Sequence, residues 1–169
     1  VHSHAHELLG HDDVQSLLDN LAQSAPKLVE DLVPKLLPLT VVVRVLQNLL
    51  EEDISIRAFK QIAESLAEHA RQSQDPDMLT AQVRVALGQQ IVQQINGLES
   101  ELPVLTLAQP LEQLLQESMQ QDASAIEPGL AERMHQSIAE WVERQQGQGQ
   151  TPVLLVPQGI RASLARFLR

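Results

Sequence analysis

Prolines and a serine divide one apolar stretch of this chain into helices that are each too short to be stable alone. Residues 26–57 read PKLVEDLVPKLLPLTVVVRVLQNLLEEDISIR. Pro26 suits the first turn of a helix, whereas Pro34 ends one because it has no backbone N–H and restricts the residue before it. Beyond Pro38, valines and leucines recur at helical spacing, and Ser55 is a typical N-cap for a further helix. Such short amphipathic helices need one another, so this stretch predicts a bundle.

The same helical periodicity covers the first 97 residues. Val14 and Leu18 belong to one apolar stripe, and Asp75 with Pro76 forms a strong start signal for a helix that we predict to run to Ile95. Asn-Gly at 96–97 ends that pattern. We therefore predict a helical subdomain over residues 1–97.

The period changes beyond Gly97 to strand, helix, helix, strand, helix. Two short apolar runs led by proline, at 103–107 and 152–156, are typical of buried parallel strands. The helix between 130 and 142 carries an apolar stripe that includes Trp141. Residues 98–169 thus predict a small α/β subdomain, and the fold class is mainly α with a short parallel sheet. Two strands leave open edges, so we expect this subdomain to be truncated, with a further strand after Arg169, and to be less stable than the helical half.

Composition excludes several classes of function. The chain has no cysteine, which rules out disulfides and thiolate metal sites, and its net charge of −10 repels nucleic acid and anionic lipid. The only basic cluster is that of Arg161, Arg166 and Arg169. One Trp, two Phe and no Tyr favour close-packed aliphatic cores over aromatic-lined pockets. No apolar run approaches the ~20 residues of a membrane-spanning helix.

The polar residues form no convincing catalytic, cofactor or metal site. Histidines at 2, 4, 6 and 11 are the best metal candidates, because His2 and His6 share a face if they are helical, but they have neither a cysteine nor a suitably placed carboxylate. His69 and His135 stand alone on predicted helices without a nearby Ser or Cys nucleophile. The chain also has no glycine-rich phosphate loop and no G-x-S-x-G motif. We expect a protein that is not an enzyme and has no cofactor and no metal.

Seven segments in one order resemble a known family. They are HAHELLG at 4–10, DVQSLLDNL at 13–21, the run from PKLVEDLVP through VLQNLL to SIR at 26–57, LAEHA at 66–70, LTAQVRVALG at 79–88, EPGLAERM at 127–134, and PVLLV with LARFLR at 152–156 and 164–169. The chain resembles the cytoplasmic region of the flagellar and virulence type III export-gate proteins, the flagella/HR/invasion protein export pore family.

This resemblance implies a scaffold for other proteins. Members of the family form a homo-oligomeric ring at the cytoplasmic face of the bacterial inner membrane. They dock export chaperones with bound substrates and soluble export components that include the export ATPase complex. The resemblance also implies that the chain is a fragment, containing the end of the first, all of the third and most of the fourth cytoplasmic subdomain, with its membrane part upstream.

One departure from the family pattern identifies a candidate interface residue. Where the family commonly reads Ser-Ile-Arg-Asp, this chain has Ala58 as the fourth residue, which we place at the third helical position, where an acid could close a capping box. Arg57 is then the leading candidate for a contact between subunits. The alternative is a local ion pair with one of the acids at 51–53.

Two alternatives to a flagellar export gate remain within the protein-binding class, a virulence injectisome export gate and an unrelated helical adaptor. A third alternative is an α/β enzyme, which would need a convergent polar pocket at the carboxyl ends of the two strands.

Overall fold

A computed structural model describes residues 8–121 and 126–169 of the chain. The chain divides into two compact units, the first ending at Gln94 and the second beginning at Ile95. Helices dominate the described residues, and two short strands form a parallel sheet. The predicted fold class is therefore confirmed. The assignment of the two units to particular subdomains of the family stays a prediction.

The first unit is built from helices. They are α1 (His11–Ser24), α2 (Pro26–Glu30), α3 (Leu39–Glu51), α4 (Phe59–His69), α5 (Pro76–Ala86) and α6 (Gly88–Asn96), the last of which runs past the boundary between the units. None of the helices in the described ranges is both long and apolar enough to cross a membrane.

The regular helical geometry of α2 is lost where the sequence predicts it, before Pro34. Val33 is extended, with φ −126° and ψ 124°, because proline disfavours a helical conformation in the residue before it. A π-type hydrogen bond, which spans five residues, closes this irregular turn: Leu37 N donates to Leu32 O at 2.9 Å. Leu32 and Leu37 are both fully buried, so packing of their side chains in the core also stabilises the turn.

The helix predicted to begin at Ser55 begins later, and this prediction was wrong. Its first residue is Phe59 and its N-cap is Ala58. Ile54 explains the delay: its N–H donates to Leu49 O at 2.9 Å, and its side chain is only 5% exposed. Since Ile54 and Phe59 are both buried, the chain between them stays irregular and does not form a helix at Ser55.

The helix predicted from Asp75 to Ile95 has the predicted start but not the predicted length. Asp75 Oδ1 accepts a hydrogen bond from Asp77 N at 3.0 Å, as expected of an N-cap. The helix then divides at Leu87, where ψ is 5°. Gly88 follows, and glycine inside a helix costs about 1 kcal/mol relative to alanine. The single predicted helix is therefore two helices, α5 and α6.

Aliphatic side chains fill the core of the first unit. Its helix α3 contacts α1 and α5, and α4 contacts α5 as well. The fully buried leucines and valines include Val14, Leu18, Leu32, Leu37, Val42, Val45, Leu46, Leu49, Leu66, Leu79, Val83 and Leu87. Each such side chain contributes roughly 1.5–3 kcal/mol through removal of its surface from water.

The second unit places a two-stranded sheet among three helices. Strands β1 (Leu105–Thr106) and β2 (Leu154–Leu155) are parallel, with Leu105 opposite Leu154 and Thr106 opposite Leu155. The helices are α7 (Gln109–Gln121), α8 (Pro128–Gly147) and α9 (Gln158–Phe167), and α7 packs on α9. The buried core of the second unit is small. Among the described residues it consists of Leu115, Met134, Ile160 and Leu164.

Candidate interaction surfaces

Arg57 lies in the irregular segment between α3 and α4. Its backbone N–H donates to Ser55 Oγ at 3.3 Å, and its side chain is exposed. Two acids proposed as local partners are engaged elsewhere, since Glu52 pairs with Arg84 of α5 and Glu51 Oε1 lies 3.8 Å from Arg44 Nη1. Within residues 8–121 and 126–169, the Arg57 guanidinium has no ion pair. It is therefore available to a partner, and its role between subunits stays a prediction.

Position 58 has a different structural role from the one that the sequence suggests. Because α4 starts at Phe59, Ala58 is the N-cap and not the third helical residue. No side chain caps this end of α4, since alanine has no oxygen to accept a hydrogen bond from the first backbone N–H groups. A Ser, Thr, Asp or Asn side chain at position 58 would be able to cap the helix directly.

The histidines do not form a site in the described part of the chain. His2, His4 and His6 lie outside the described residues, and His11 is exposed at the start of α1. His69 Nδ1 donates to Ser65 O at 2.8 Å, and the ring of His135 lies 4.4 Å from that of Phe167. No three His, Asp or Glu side chains in the described ranges are grouped as a metal would require.

A first surface groove, of about 540 Å³, lies in the helical unit. Its lining residues are Leu28, Asp31, Lys35, Leu36, Ala67, Glu68 and Arg71. Lys35 Nζ is 3.2 Å from Asp31 Oδ1 and 3.2 Å from Glu30 Oε1, and hydrogen bonds to Asp31 and then Glu30 raise the pKa of Lys35 above its ordinary value. Charges of both signs line this groove, so it has no strong preference for a partner of either sign.

A second groove follows strand β1 and helix α8, and we name it the β1–α8 groove. Its volume is about 380 Å³, and its lining residues are Leu105, Thr106, Leu107, Ala108, Leu111, Leu130, Arg133, Met134, Ser137, Ile138, Trp141 and Arg144. The α8 residues recur at helical spacing along one face, and only Met134 of that helix is buried. An apolar helix face is thus left partly open to solvent.

The charged residues of the β1–α8 groove are both arginines. Arg133 and Arg144 are exposed, and no Asp or Glu lines the groove. Arg144 Nε donates to the backbone Glu140 O at 3.3 Å, and neither guanidinium has a carboxylate partner among the described residues. The charged side chains that line this groove are therefore cationic and most of its other lining residues are apolar, although the whole chain has a net charge of −10.

The sequence did not predict this groove. In the sequence, the apolar stripe from Leu130 to Val142 predicts only a helix, and the scarcity of aromatic residues argues against aromatic-lined pockets. In the structure, Trp141 is half-buried and lines the groove. One signal could have found it: Arg133 and Arg144 are eleven residues apart, about three helical turns, so they share a face with part of that stripe.

Comparison with known proteins assigns the chain to a family. The FHIPEP family model matches residues 1–169. The flagellar biosynthesis protein FlhA of Escherichia coli K12 is 48% identical over 169 residues, which are 100% of this chain and 24% of that protein. The FlhA protein of Yersinia enterocolitica is 46% identical, again over 100% of this chain and 24% of the relative. The chain thus spans about a quarter of the length of these relatives.

Solved structures show the same fold. The Chlamydia pneumoniae CdsV protein matches with a TM-score of 0.86 and 28% identity, over 99% of this chain and 48% of that one. Nonameric EPEC SctV-C, determined by cryo-EM, matches with a TM-score of 0.85 and 26% identity, over 99% and 51% of the two chains. The complex of CdsV and CdsO from Chlamydia pneumoniae matches with a TM-score of 0.80 and 26% identity, over 99% and 50%.

Proposed function

Because this chain belongs to the FHIPEP family, we propose that it is part of the cytoplasmic scaffold of a type III protein export gate that serves flagellar assembly. The observation that carries the proposal is the family match over residues 1–169. The relatives at 48% and 46% identity are flagellar biosynthesis proteins, which supports a flagellar role over a virulence injectisome. The family match leaves no support for an unrelated helical adaptor.

The proposed role is to hold other proteins and not to catalyse a reaction. The scaffold docks export chaperones with their substrates and soluble export components, including the export ATPase complex, at the cytoplasmic face of the inner membrane. The match to a complex of CdsV with a second protein, CdsO, supports docking of soluble components. We propose no enzymatic activity for this chain.

The scaffold acts as a homo-oligomeric ring. The match to a nonameric SctV-C assembly supports this part of the proposal. Arg57 contributes to the contact between subunits, because it is an exposed guanidinium without an ion pair in the described part of the chain, on an irregular segment between two helices.

A segment exchange tests the export function. The matching segment of Escherichia coli FlhA is replaced by this chain, and the chimera is expressed in cells that lack their own FlhA. We expect the cells to swim in soft agar and to secrete flagellar subunits, since the chain retains the fold and 48% of the residues. Membrane levels of the chimera, measured by immunoblot, are the control. A chimera that accumulates normally but supports neither swimming nor secretion would contradict the proposal.

Charge reversal tests the ring contact. In the same chimera, we expect Arg57→Glu to reduce the ring population, measured by native mass spectrometry of the cytoplasmic region, because the new carboxylate would repel the carboxylate that we expect across the interface. Lys60→Glu, at an exposed residue of α4 nearby in sequence, is the matched control for a change of two charges. Equal ring populations in the Arg57→Glu and Lys60→Glu variants would remove Arg57 from the interface.

A further inference from the structure

We propose that the β1–α8 groove binds a short acidic peptide segment with bulky apolar side chains, presented by a soluble protein partner. This inference rests on the proposed function for the source of the partner, which would be a component of the export machinery. The binding itself follows from the shape and charge of the groove and is measured without any export.

The apolar lining of the groove requires an apolar ligand. Leu107, Leu111 and Ile138 are half-buried, and Trp141 adds the only indole of the chain. Covering this surface removes it from water, at roughly 25 cal/mol per Å² of apolar area. Trp and Arg are also the residue types most enriched among residues that dominate binding energy at protein interfaces.

The two arginines select the charge of the ligand. A chain of net charge −10 repels an acidic partner over most of its surface, but the charges that line this groove are Arg133 and Arg144 alone. Carboxylates that reach these guanidinium groups form charge-assisted hydrogen bonds, which are stronger than neutral ones. The acidic residues of the rest of the chain then discourage attachment elsewhere and favour this orientation.

The spacing of the arginines sets the length of the segment. Eleven residues separate Arg133 from Arg144, which corresponds to roughly 16 Å along α8 at 1.5 Å per residue. An extended peptide covers that distance in about five residues, at roughly 3.3 Å each. The ligand therefore has two carboxylates about five positions apart, with apolar side chains between them.

Trp141 provides a direct measurement, because the chain has no other tryptophan. The probe is the synthetic peptide GELLFLEG, titrated into the purified 169-residue chain while tryptophan emission is recorded. We expect a saturable blue shift as the indole leaves water. Two control peptides test what binding requires. GKLLFLKG has reversed charge, and GESSGSEG has no apolar side chains. We expect both to bind at least tenfold more weakly.

Variants of the chain test the assignment to the groove. We expect the double variant Arg133→Glu with Arg144→Glu to bind GELLFLEG at least tenfold more weakly, and Lys60→Glu in the other unit to bind like the unchanged chain. Raising the salt concentration from about 50 to about 500 mM should weaken peptide binding by the unchanged chain, since the contacting charges are exposed. If the double variant loses its helical circular dichroism, the single substitution Arg144→Gln is used in its place, with an expected loss of at least threefold.

Three results would overturn the proposal. They are an unshifted Trp141 emission at millimolar GELLFLEG, equal binding of the basic peptide, and binding that the arginine substitutions leave unchanged. These results are distinguishable from failure of the proposed function. If the chimera swims but the peptide does not bind, only the proposal of peptide binding in the groove is refuted. If the peptide binds but the chimera does not support export, only the proposed export role is refuted.

Discussion

At the residue scale, position 58 decides how well α4 begins. Ala58 occupies the N-cap, and no side chain there accepts from the free backbone N–H groups of the first turn. Phe59 follows directly and is buried, so this end of the helix is held by packing and not by capping. A missing cap is a local defect that one substitution can repair.

We expect Ala58→Asp to raise the free energy of unfolding by about 1 kcal/mol, because an aspartate oxygen can accept the hydrogen bond that alanine cannot. The carboxylate would also interact favourably with the positive end of the helix dipole. Urea denaturation followed by circular dichroism measures the change. Ala58→Asn separates the two causes, since it caps without adding charge. If neither variant is more stable than the unchanged chain, Ala58 is not the effective N-cap.

At the element scale, helix α5 presents two different faces. Val83 is 0% exposed and packs in the core of the first unit, whereas Val85, two residues along the same helix, is 66% exposed. The two valines therefore share residue type, helix and local backbone but differ in burial. This pair isolates the contribution of packing to the stability of the unit.

We expect Val83→Ala to lower the free energy of unfolding by about 2 kcal/mol, because it removes buried methyl groups and leaves a cavity in a close-packed core. The matched substitution Val85→Ala should change it by less than about 0.5 kcal/mol, as is usual at the surface. Urea denaturation measures both changes in the free energy of unfolding, and the comparison requires that the dependence of that free energy on urea concentration has the same slope in both variants. Similar losses in the two variants would mean that the outer face of α5 is covered in solution.

At the scale of the whole molecule, the two units differ in how much core they have. The first unit buries aliphatic side chains from α1, α3, α4 and α5 and from the turn at 31–36. The second unit, in its described part, buries only Leu115, Met134, Ile160 and Leu164, and its sheet has two strands of two residues. Since buried apolar area is the main source of stability, the second unit has less to offset its loss of conformational entropy.

We therefore expect faster amide hydrogen exchange in the second unit. At neutral pH, the N–H of Leu155 in β2 should exchange at least tenfold faster than that of Val83 in α5, because opening the smaller core costs less free energy. Hydrogen exchange followed by NMR measures both amides, after correction for intrinsic rates. Slower exchange at Leu155 than at Val83 would contradict this order of stabilities.

Much of the architecture was predictable from local patterns. Pro34 ends regular helix and Asp75 begins α5, because both act through the geometry of their own backbone neighbours. The parallel pairing of β1 with β2 follows from two apolar runs separated by helical segments. By contrast, the prediction of a helix start at Ser55 is wrong, since burial of Ile54 by the rest of the unit keeps this part of the chain out of a helix.

The sequence by itself determined the helical class, the short sheet, the lack of thiol chemistry and the family, because periodicity, punctuation by proline and ordered motifs are local properties of the chain. Only the tertiary structure decided which apolar faces are covered. The stripes of α3 and α8 look alike as patterns, but α3 is enclosed by its neighbours while Trp141 borders an open groove between two arginines. Periodicity marks a face that avoids water, whereas its burial depends on which distant elements pack against it.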